Sequence, residues 1–251
     1  MPQSHIPQKN IPMGDAGSPL TGKIALVTGA SRGIGRAIAL RLAGLGARLL
    51  LVARDPSALA EVKQSVIKLA TEADALPCDL ASAPEIAALA PRIEAAGGCD
   101  ILINAAGIGR IGAPLYEMPV EDFDAILATN LRAPFLLMRT VIPHMIARGG
   151  GEIVNISSLA GQGPLANGAA YSASKWALNG LTYSAAEELR AHNIRVSVVA
   201  PGSVNTSFGR GGKDRTKMLQ PEDIANVVAM LVTQPPQSFI SEVRMRPTQK
   251  P

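Results

Sequence analysis

Apolar positions in this chain follow two rhythms that alternate from residue 24 to the end. Short, unbroken apolar runs closed by Gly, Pro, Asn or Asp predict strands over residues 24–27, 48–52, 73–77, 101–104, 152–156 and 195–200. Residues 242–245 are compatible with a last strand. Between them, longer stretches repeat their apolar residues every three to four positions and predict helices over 34–45, 56–70, 84–96, 121–148, 171–191 and 221–232. Gly46 stops the first helix, and Pro56 takes a first-turn position where its missing N–H costs nothing. Pro134 and Pro143 fall inside the longest helical pattern and predict bends there. Repeated strand–helix–strand units imply right-handed crossovers. The expected architecture is α/β: one doubly wound parallel sheet with helices on both faces.

Composition agrees with that sheet. The chain is 47% hydrophobic and 3% aromatic, so Ala, Val, Ile and Leu carry the core, as strands buried on both faces require. Its 251 residues suit one domain over 21–251, preceded by a Pro-, Gly- and polar-rich tail over 1–20 expected to be disordered. That tail lacks the apolar segment of a signal peptide. No uninterrupted apolar run reaches the ~20 residues of a bilayer span. The expectation is a cytoplasmic protein with no membrane partner. Lys and Arg number 24 against 20 Asp and Glu, and they are scattered, so no nucleic-acid partner is expected. Cys78 and Cys99 lie in unrelated contexts and read as free buried thiols. His5, His144 and His192 have no ligand partners at metal-binding spacing, so no metal site is expected.

Candidate chemistry begins at Thr28-Gly29-Ala30-Ser31-Arg32-Gly33-Ile34-Gly35, between the first strand and first helix. Glycines at 29, 33 and 35 permit a tight turn and close approach of backbone to a pyrophosphate. The helix starting near Ile34 aims its free N–H groups at the same place. The second strand would end in an acid if it gripped the ribose 2′-hydroxyl of NAD. Here it ends Val52-Ala53-Arg54-Asp55. Arg54, with Arg32 in the turn, can hold a 2′-phosphate bidentately, which favours NADP(H). Asp55 reads as the cap of the helix after Pro56.

A second constellation lies downstream. Tyr171 and Lys175 share a helix face at i and i+4, and neither Tyr116 nor Tyr183 has a lysine at that spacing. An ammonium near a phenol favours the phenolate and lowers its pKa, so Tyr171 is expected to exchange a proton with a carbonyl oxygen. Ser158 follows a strand, where it can hydrogen-bond the same oxygen; Ser157 points to the opposite face if the strand continues.

In order, the glycine turn, Cys78-Asp79-Leu80, Asn104-Ala105-Ala106-Gly107, Asn130, Ser158, Tyr171-x-x-x-Lys175 and Pro201-Gly202 make the chain resemble the short-chain dehydrogenase/reductase family from about Lys23 onward. Within it the chain is similar to 3-oxoacyl carrier-protein reductases and NADPH carbonyl reductases. The resemblance implies a Rossmann-type domain. It also implies an NADP(H)-dependent oxidoreductase that reduces a ketone or 3-oxoacyl group to a secondary alcohol. By the same resemblance Asp79 meets the adenine, Asn104 steadies the central sheet, and Lys175 also binds the nicotinamide ribose. Asn130 holds a water that relays protons to Lys175, and Thr206, after Pro201-Gly202, meets the carboxamide. Asn-Ala-Ala-Gly replaces the family's Asn-Asn-Ala-Gly. The segment 207–219, where such proteins keep a lid, is short and rich in Gly, Lys and Arg, which points to a small or varied carbonyl substrate. The alternatives are a silent NADP-binding regulator, which would usually lose Tyr or Lys, and an alcohol dehydrogenase working toward oxidation. A sugar-nucleotide epimerase would need a further C-terminal domain. Phe135, Leu136, Met138, Trp176, Leu178 and Leu181 exceed one core-facing stripe on the two long helices. By the resemblance those helices pair across a two-fold axis, giving a homodimer or homotetramer.

Overall fold

A computed structural model describes residues 17–69, 71–208 and 214–251. The expected disorder of residues 1–16, the end of the second helix at Ala70 and the middle of the 207–219 segment lie outside the described residues. The composition places residues 17–20 in the tail; the structure instead buries Leu20 in the core, with its N–H donating to Leu45 O at 2.9 Å.

Seven strands form one parallel sheet: β1 (Ile24–Thr28), β2 (Arg48–Ala53), β3 (Ala73–Pro77), β4 (Ile101–Asn104), β5 (Gly151–Ile156), β6 (Ile194–Pro201) and β7 (Glu242–Met245). Their order is β3-β2-β1-β4-β5-β6-β7, so the 242–245 run is a true edge strand beside β6. Side chains alternate across the sheet into two apolar layers. Ala25, Val27, Leu49 and Leu51 face one layer with α1 (Gly33–Ala43), α2 (Pro56–Ile67) and α8 (Pro221–Val232). Leu26, Leu50, Val52 and Leu102 face the other with α3 (Ala83–Ala87), α4 (Leu89–Ala95), α6 (Ala133–Ala147) and α7 (Ala169–Leu189). Burial on both faces is why the strands read as unbroken apolar runs. Each fully buried Leu or Ile contributes roughly 1.5–3 kcal/mol of transfer free energy.

Prolines explain where the helices depart from the pattern. The expected helix over 84–96 is two, α3 and α4. Pro91, in the first turn of α4, has no N–H to return to Ala87 O, and Ser82 caps α3 by accepting from Glu85 N. The expected helix over 121–148 is α5 (Val120–Leu127), one π turn (128–132) and α6. Pro134 has no N–H for the Asn130 carbonyl, and the register widens so that Ala133 N reaches back to Ala128 O. Among the described residues this run is the one helical stretch long and apolar enough to cross a membrane. Its Leu137, Met138, Val141 and Met145 are packed in the core.

The sheet reverses its winding between β1 and β4, opening a crevice at the strands' C-terminal ends. Thr28 holds that crevice together. Its hydroxyl donates to Ile103 O at 3.2 Å and accepts from Ala105 N at 3.0 Å and Ala106 N at 3.1 Å.

Candidate active site

The glycine turn lies on one side of the crevice. Gly29 and Gly33 have φ of 64° and 54°, a region that disfavours side chains. A Cβ at Gly29 would stand 2.9 Å from Ala106 Cα, and one at Gly35 would enter the Gly29 carbonyl and stand 2.9 Å from Thr28 O. Both positions are therefore closed to any side chain. After it α1 starts at Arg32 with no side-chain cap and no acid in its first turn, so its leading N–H groups keep their capacity for an anion. Ser31 and Ile34 sit half-buried in the turn. Arg32 and Arg54 are both exposed, and among the described residues neither guanidinium has a hydrogen-bond or ion-pair partner. Asp55 takes the capping role expected of it, accepting from Ser57 N and Ala58 N. The cradle fits a dinucleotide phosphate with two uncommitted cations near it.

Further along the crevice, Asp79 accepts from Ala81 N at 3.0 Å through one carboxylate oxygen. Asn104, at the end of β4, donates to Asn155 Oδ1 at 2.8 Å, and Asn155 donates to Thr182 Oγ1 on α7 at 2.8 Å. A buried polar chain thus crosses from the central strands to α7, while Asn104 Oδ1 is left unpaired. Pro201 ends β6, and Gly202 N donates to Met245 O at 2.9 Å. Thr206 touches the turn from above: a Cβ at Gly33 would lie 3.2 Å from Thr206 Cγ2.

Ser158, Tyr171 and Lys175 come together on the other side. Ser158 begins the short 3-10 turn 159–161 after β5, where its Oγ accepts from Ala160 N at 3.1 Å. Its side chain lies near enough to the Tyr171 phenol to lower that group's pKa. Ser157 is buried on the other face with its hydroxyl unpartnered. Tyr171 and Lys175 stand one turn apart near the start of α7, 8% and 4% exposed. Burial raises the Tyr171 pKa, and the Ser158 side chain only partly opposes it. Burial lowers Lys175 to about 8. The expected tuning of the phenol by the ammonium does not hold in this structure. Lys175 Nζ lies 5.9 Å from the Tyr171 ring centre and donates to Ile156 O at 2.8 Å. Asn130 is fully buried in the π turn. Its side chain is committed to Ile108, accepting from N and donating to O at 2.9 Å each, and it donates to Ser174 Oγ at 3.0 Å.

The two halves are contiguous. Ala106, pressed on Gly29, precedes Gly107, whose added Cβ would lie 3.3 Å from Asn130 Oδ1 and 3.7 Å from Lys175 Nζ. The geometry therefore sets a donor hydroxyl, a buried phenol and a buried amine beside a phosphate cradle. Such a group can hold a carbonyl oxygen and give it a proton.

Sequence reasoning missed several supports. Ser172 Oγ donates to Ala160 O at 2.6 Å and Asn179 Nδ2 to Gly161 O at 2.9 Å, so α7 grips the loop that carries Ser158. Thr28 and Asn155 tie the strand ends. Phe208 lies on Tyr171, with ring centres 5.7 Å apart. Of these only Phe208 had a visible signal, a single aromatic residue in an otherwise Gly-, Lys- and Arg-rich segment. Cys78 and Cys99 are free and buried, and burial pushes their thiols up to about 11 and about 12. Among the described residues no three His, Cys, Asp or Glu gather as a metal site.

Comparison with known proteins gives three kinds of likeness. The family model for short chain dehydrogenase matches residues 23–216. Dehydrogenase/reductase SDR family member 4 of Bos taurus is 40% identical over 197 residues, covering 77% of this chain and 70% of the relative. A metagenomic short-chain oxidoreductase crystallised with NADP is 52% identical, with a TM-score of 0.83, over 93% of this chain and 100% of that one. An alcohol dehydrogenase from the archaeon Thermococcus sibiricus, complexed with 5-hydroxy-NADP, is 28% identical with a TM-score of 0.85, covering 91% and 98%.

Proposed function

The chain belongs to the short-chain dehydrogenase family, and on that footing we propose that it is an NADP(H)-dependent oxidoreductase that reduces a ketone to a secondary alcohol, with Tyr171 as general acid. The observation that carries this reading is the convergence of Ser158, Tyr171 and Lys175 beside the glycine cradle. When bound, the nicotinamide supplies the hydride. Tyr171 gives its proton to the carbonyl oxygen, and Ser158 holds that oxygen by a hydrogen bond. Burial raises the phenol's pKa further above neutrality, so Tyr171 carries the proton that a general acid for reduction gives up. Lys175 supplies positive charge to the site and binds the nicotinamide ribose, while Asn130 fixes the 107–108 backbone against α7.

The cofactor is held by Gly29, Ser31, Arg32, Gly33, Ile34 and Gly35 at its phosphates, with Arg54 joining Arg32 on the 2′-phosphate. Asp79 takes the adenine side, Asn104 supports the central strands, and Pro201, Gly202 and Thr206 line the nicotinamide side. Two related structures contain NADP or an NADP derivative, which supports NADP(H) over NAD(H). A 3-oxoacyl thioester is the second substrate class to assay. The protein works in the cytoplasm as a homodimer or homotetramer. Phe135 and Trp176, 45% and 54% exposed on α6 and α7, support that assembly; Met138 and Leu178 do not, because both are buried in the core.

The test is a panel of ketones and 3-oxoacyl thioesters assayed with NADPH and with NADH. Turnover of ketones with NADPH well above NADH is expected. No turnover of any carbonyl with either cofactor would overturn the reading.

A further inference from the structure

Tyr171 is roofed by an apolar wall that the proton chemistry does not require. Phe208 stands over the phenol, 5.7 Å between ring centres and tilted 53°. It is nonetheless 47% exposed, on the crevice side of the domain. Its position is set from two directions. Its backbone N–H donates to Thr206 Oγ1 at 3.2 Å, and Thr206 itself rests on Gly33 of the cradle. Its ring edge lies over Gly109, so close that an added Cβ there would be 3.0 Å from Cε1 and Cζ.

Two more apolar side chains continue the wall. Ile111, 43% exposed, extends to within 3.4 Å of that same Gly109 position and 3.5 Å of the Cβ position of Gly168. Leu165 reaches the Gly168 position from the other side. The loops that carry them are joined by Gly112 N donating to Asn167 O at 2.8 Å. Arg110, between Gly109 and Ile111, holds a left-handed φ of 42° and is paired with Asp122. The rim's cation is thereby paired with a carboxylate. Three partly exposed apolar chains from three separate loops thus follow one another, the first of them packed on the phenol, an apolar surface beside a polar group as ligand sites have.

We propose that Phe208 is a specificity-determining residue and that the substrate class is a ketone bearing one compact apolar ring beside its carbonyl. This rests on the reading of Tyr171 as the proton donor to a carbonyl. With the oxygen held at Ser158 and Tyr171, one substituent must lie against Phe208. An aromatic ring can meet that ring edge-to-face or offset, which adds to simple area burial. The Gly112–Asn167 hydrogen bond pins the loops that carry Ile111 and Leu165, so the wall offers a fixed face of three side chains that suits a ring better than an extended chain.

The experiment compares phenyl methyl ketone with butanone, using NADPH and the full chain, in the unaltered protein, Phe208→Ala and Gly109→Ala. Gly109→Ala keeps Phe208 but moves its ring edge, which is the free end of a side chain and can give way without unfolding. The ratio of kcat/KM for the aryl over the small ketone should fall roughly 10-fold or more in Phe208→Ala and by a smaller factor in Gly109→Ala. Calorimetric titration of the NADPH-loaded protein with a phenyl-substituted secondary alcohol should weaken in the same order. A ratio unchanged within about twofold in both variants, with NADPH binding retained, overturns the inference. If Phe208→Ala fails to fold, Gly109→Ala decides. An unaltered protein that binds the aryl alcohol through Phe208 but reduces neither ketone keeps the wall and overturns the activity. One that reduces both ketones, with Phe208→Ala leaving the ratio unchanged, overturns only the wall.

Discussion

Lys175 lies over the ring of Tyr171 rather than at its hydroxyl: its ammonium is 5.9 Å from the phenol ring centre and donates to Ile156 O at 2.8 Å. The two side chains share a helix face, as their spacing requires, yet burial acts on each separately. It lifts the phenol and lowers the amine to about 8. The group that titrates in the working pH range is therefore Lys175.

The pH dependence of reduction follows. As pH rises through about 8 the Lys175 charge is lost, while Tyr171 keeps its proton. We expect kcat/KM to fall with an apparent pKa near that value and the residual activity of Lys175→Met to lack this limb. A limb that survived in Lys175→Met would assign it to another group.

Stability should carry the same signature. An unfolded lysine keeps its proton to about 10.5, the folded one only to about 8. Between those values the unfolded chain binds more protons, so the stability of the ligand-free protein rises with pH there. Lys175→Met removes that slope. Thermal melts should show the parent gaining on the variant from about pH 8 to 10.5 and a constant difference below pH 8. A gain in the opposite direction would contradict the burial argument.

Tyr171→Phe deletes only a hydroxyl on a ring already packed under Phe208. Folding and NADPH binding, read by cofactor fluorescence, should survive. Turnover should drop by ~10²–10⁴, the worth of a lost acid–base group. Ser158→Ala should cost more turnover than Ser157→Ala, since Ser157 faces away with an unpartnered hydroxyl. Near-normal ketone turnover in Tyr171→Phe would require another proton donor.

Arg54 and Arg32 have uncommitted guanidiniums at the end of β2 and in the turn. Arg54→Asp should weaken NADPH far more than NADH, by ~1.5–3 kcal/mol for each charge-assisted bond lost. Equal loss for the two cofactors in binding titrations would remove the 2′-phosphate from the argument.

Light scattering at micromolar concentration should give a dimer or tetramer, and Phe135→Glu together with Trp176→Glu should shift it toward monomer. Both residues are exposed on neighbouring helices. A monomeric parent protein would leave that apolar surface without its proposed cover.

The strand–helix alternation could be read from the chain because every central strand is buried on two faces, which leaves an unmistakable apolar run such as Ile101-Leu102-Ile103. Helix continuity was legible only in part: Pro134 marked the disturbance before α6, whereas Pro91 splits the 84–96 run through the carbonyl of Ala87, which no pattern records. Spacing placed Tyr171 and Lys175 on one face but was blind to Ile156 O, which comes from another strand and takes the amine. Met138 and Leu178 looked like surplus apolar residues; only the two-layer packing shows that they belong to the core. Phe208 meets Tyr171 through a fold contact that no local period encodes.

The position of β1, between β2 and β4, also dictates an order of assembly. A chain that emerges from its amino terminus can pair β1, β2 and β3 early, because each partner follows soon after. The second wall of the crevice must wait for β4, and the helix bearing Tyr171 and Lys175 needs β5 and β6 to lie against. Long-range parallel pairings are the slow steps of folding. The strands of the nucleotide-shaped half are thus the first that can pair, while its helix α1 waits for α8 to cover it. Synthesis cut short upstream of residue 169 leaves a chain that lacks the phenol and the amine altogether.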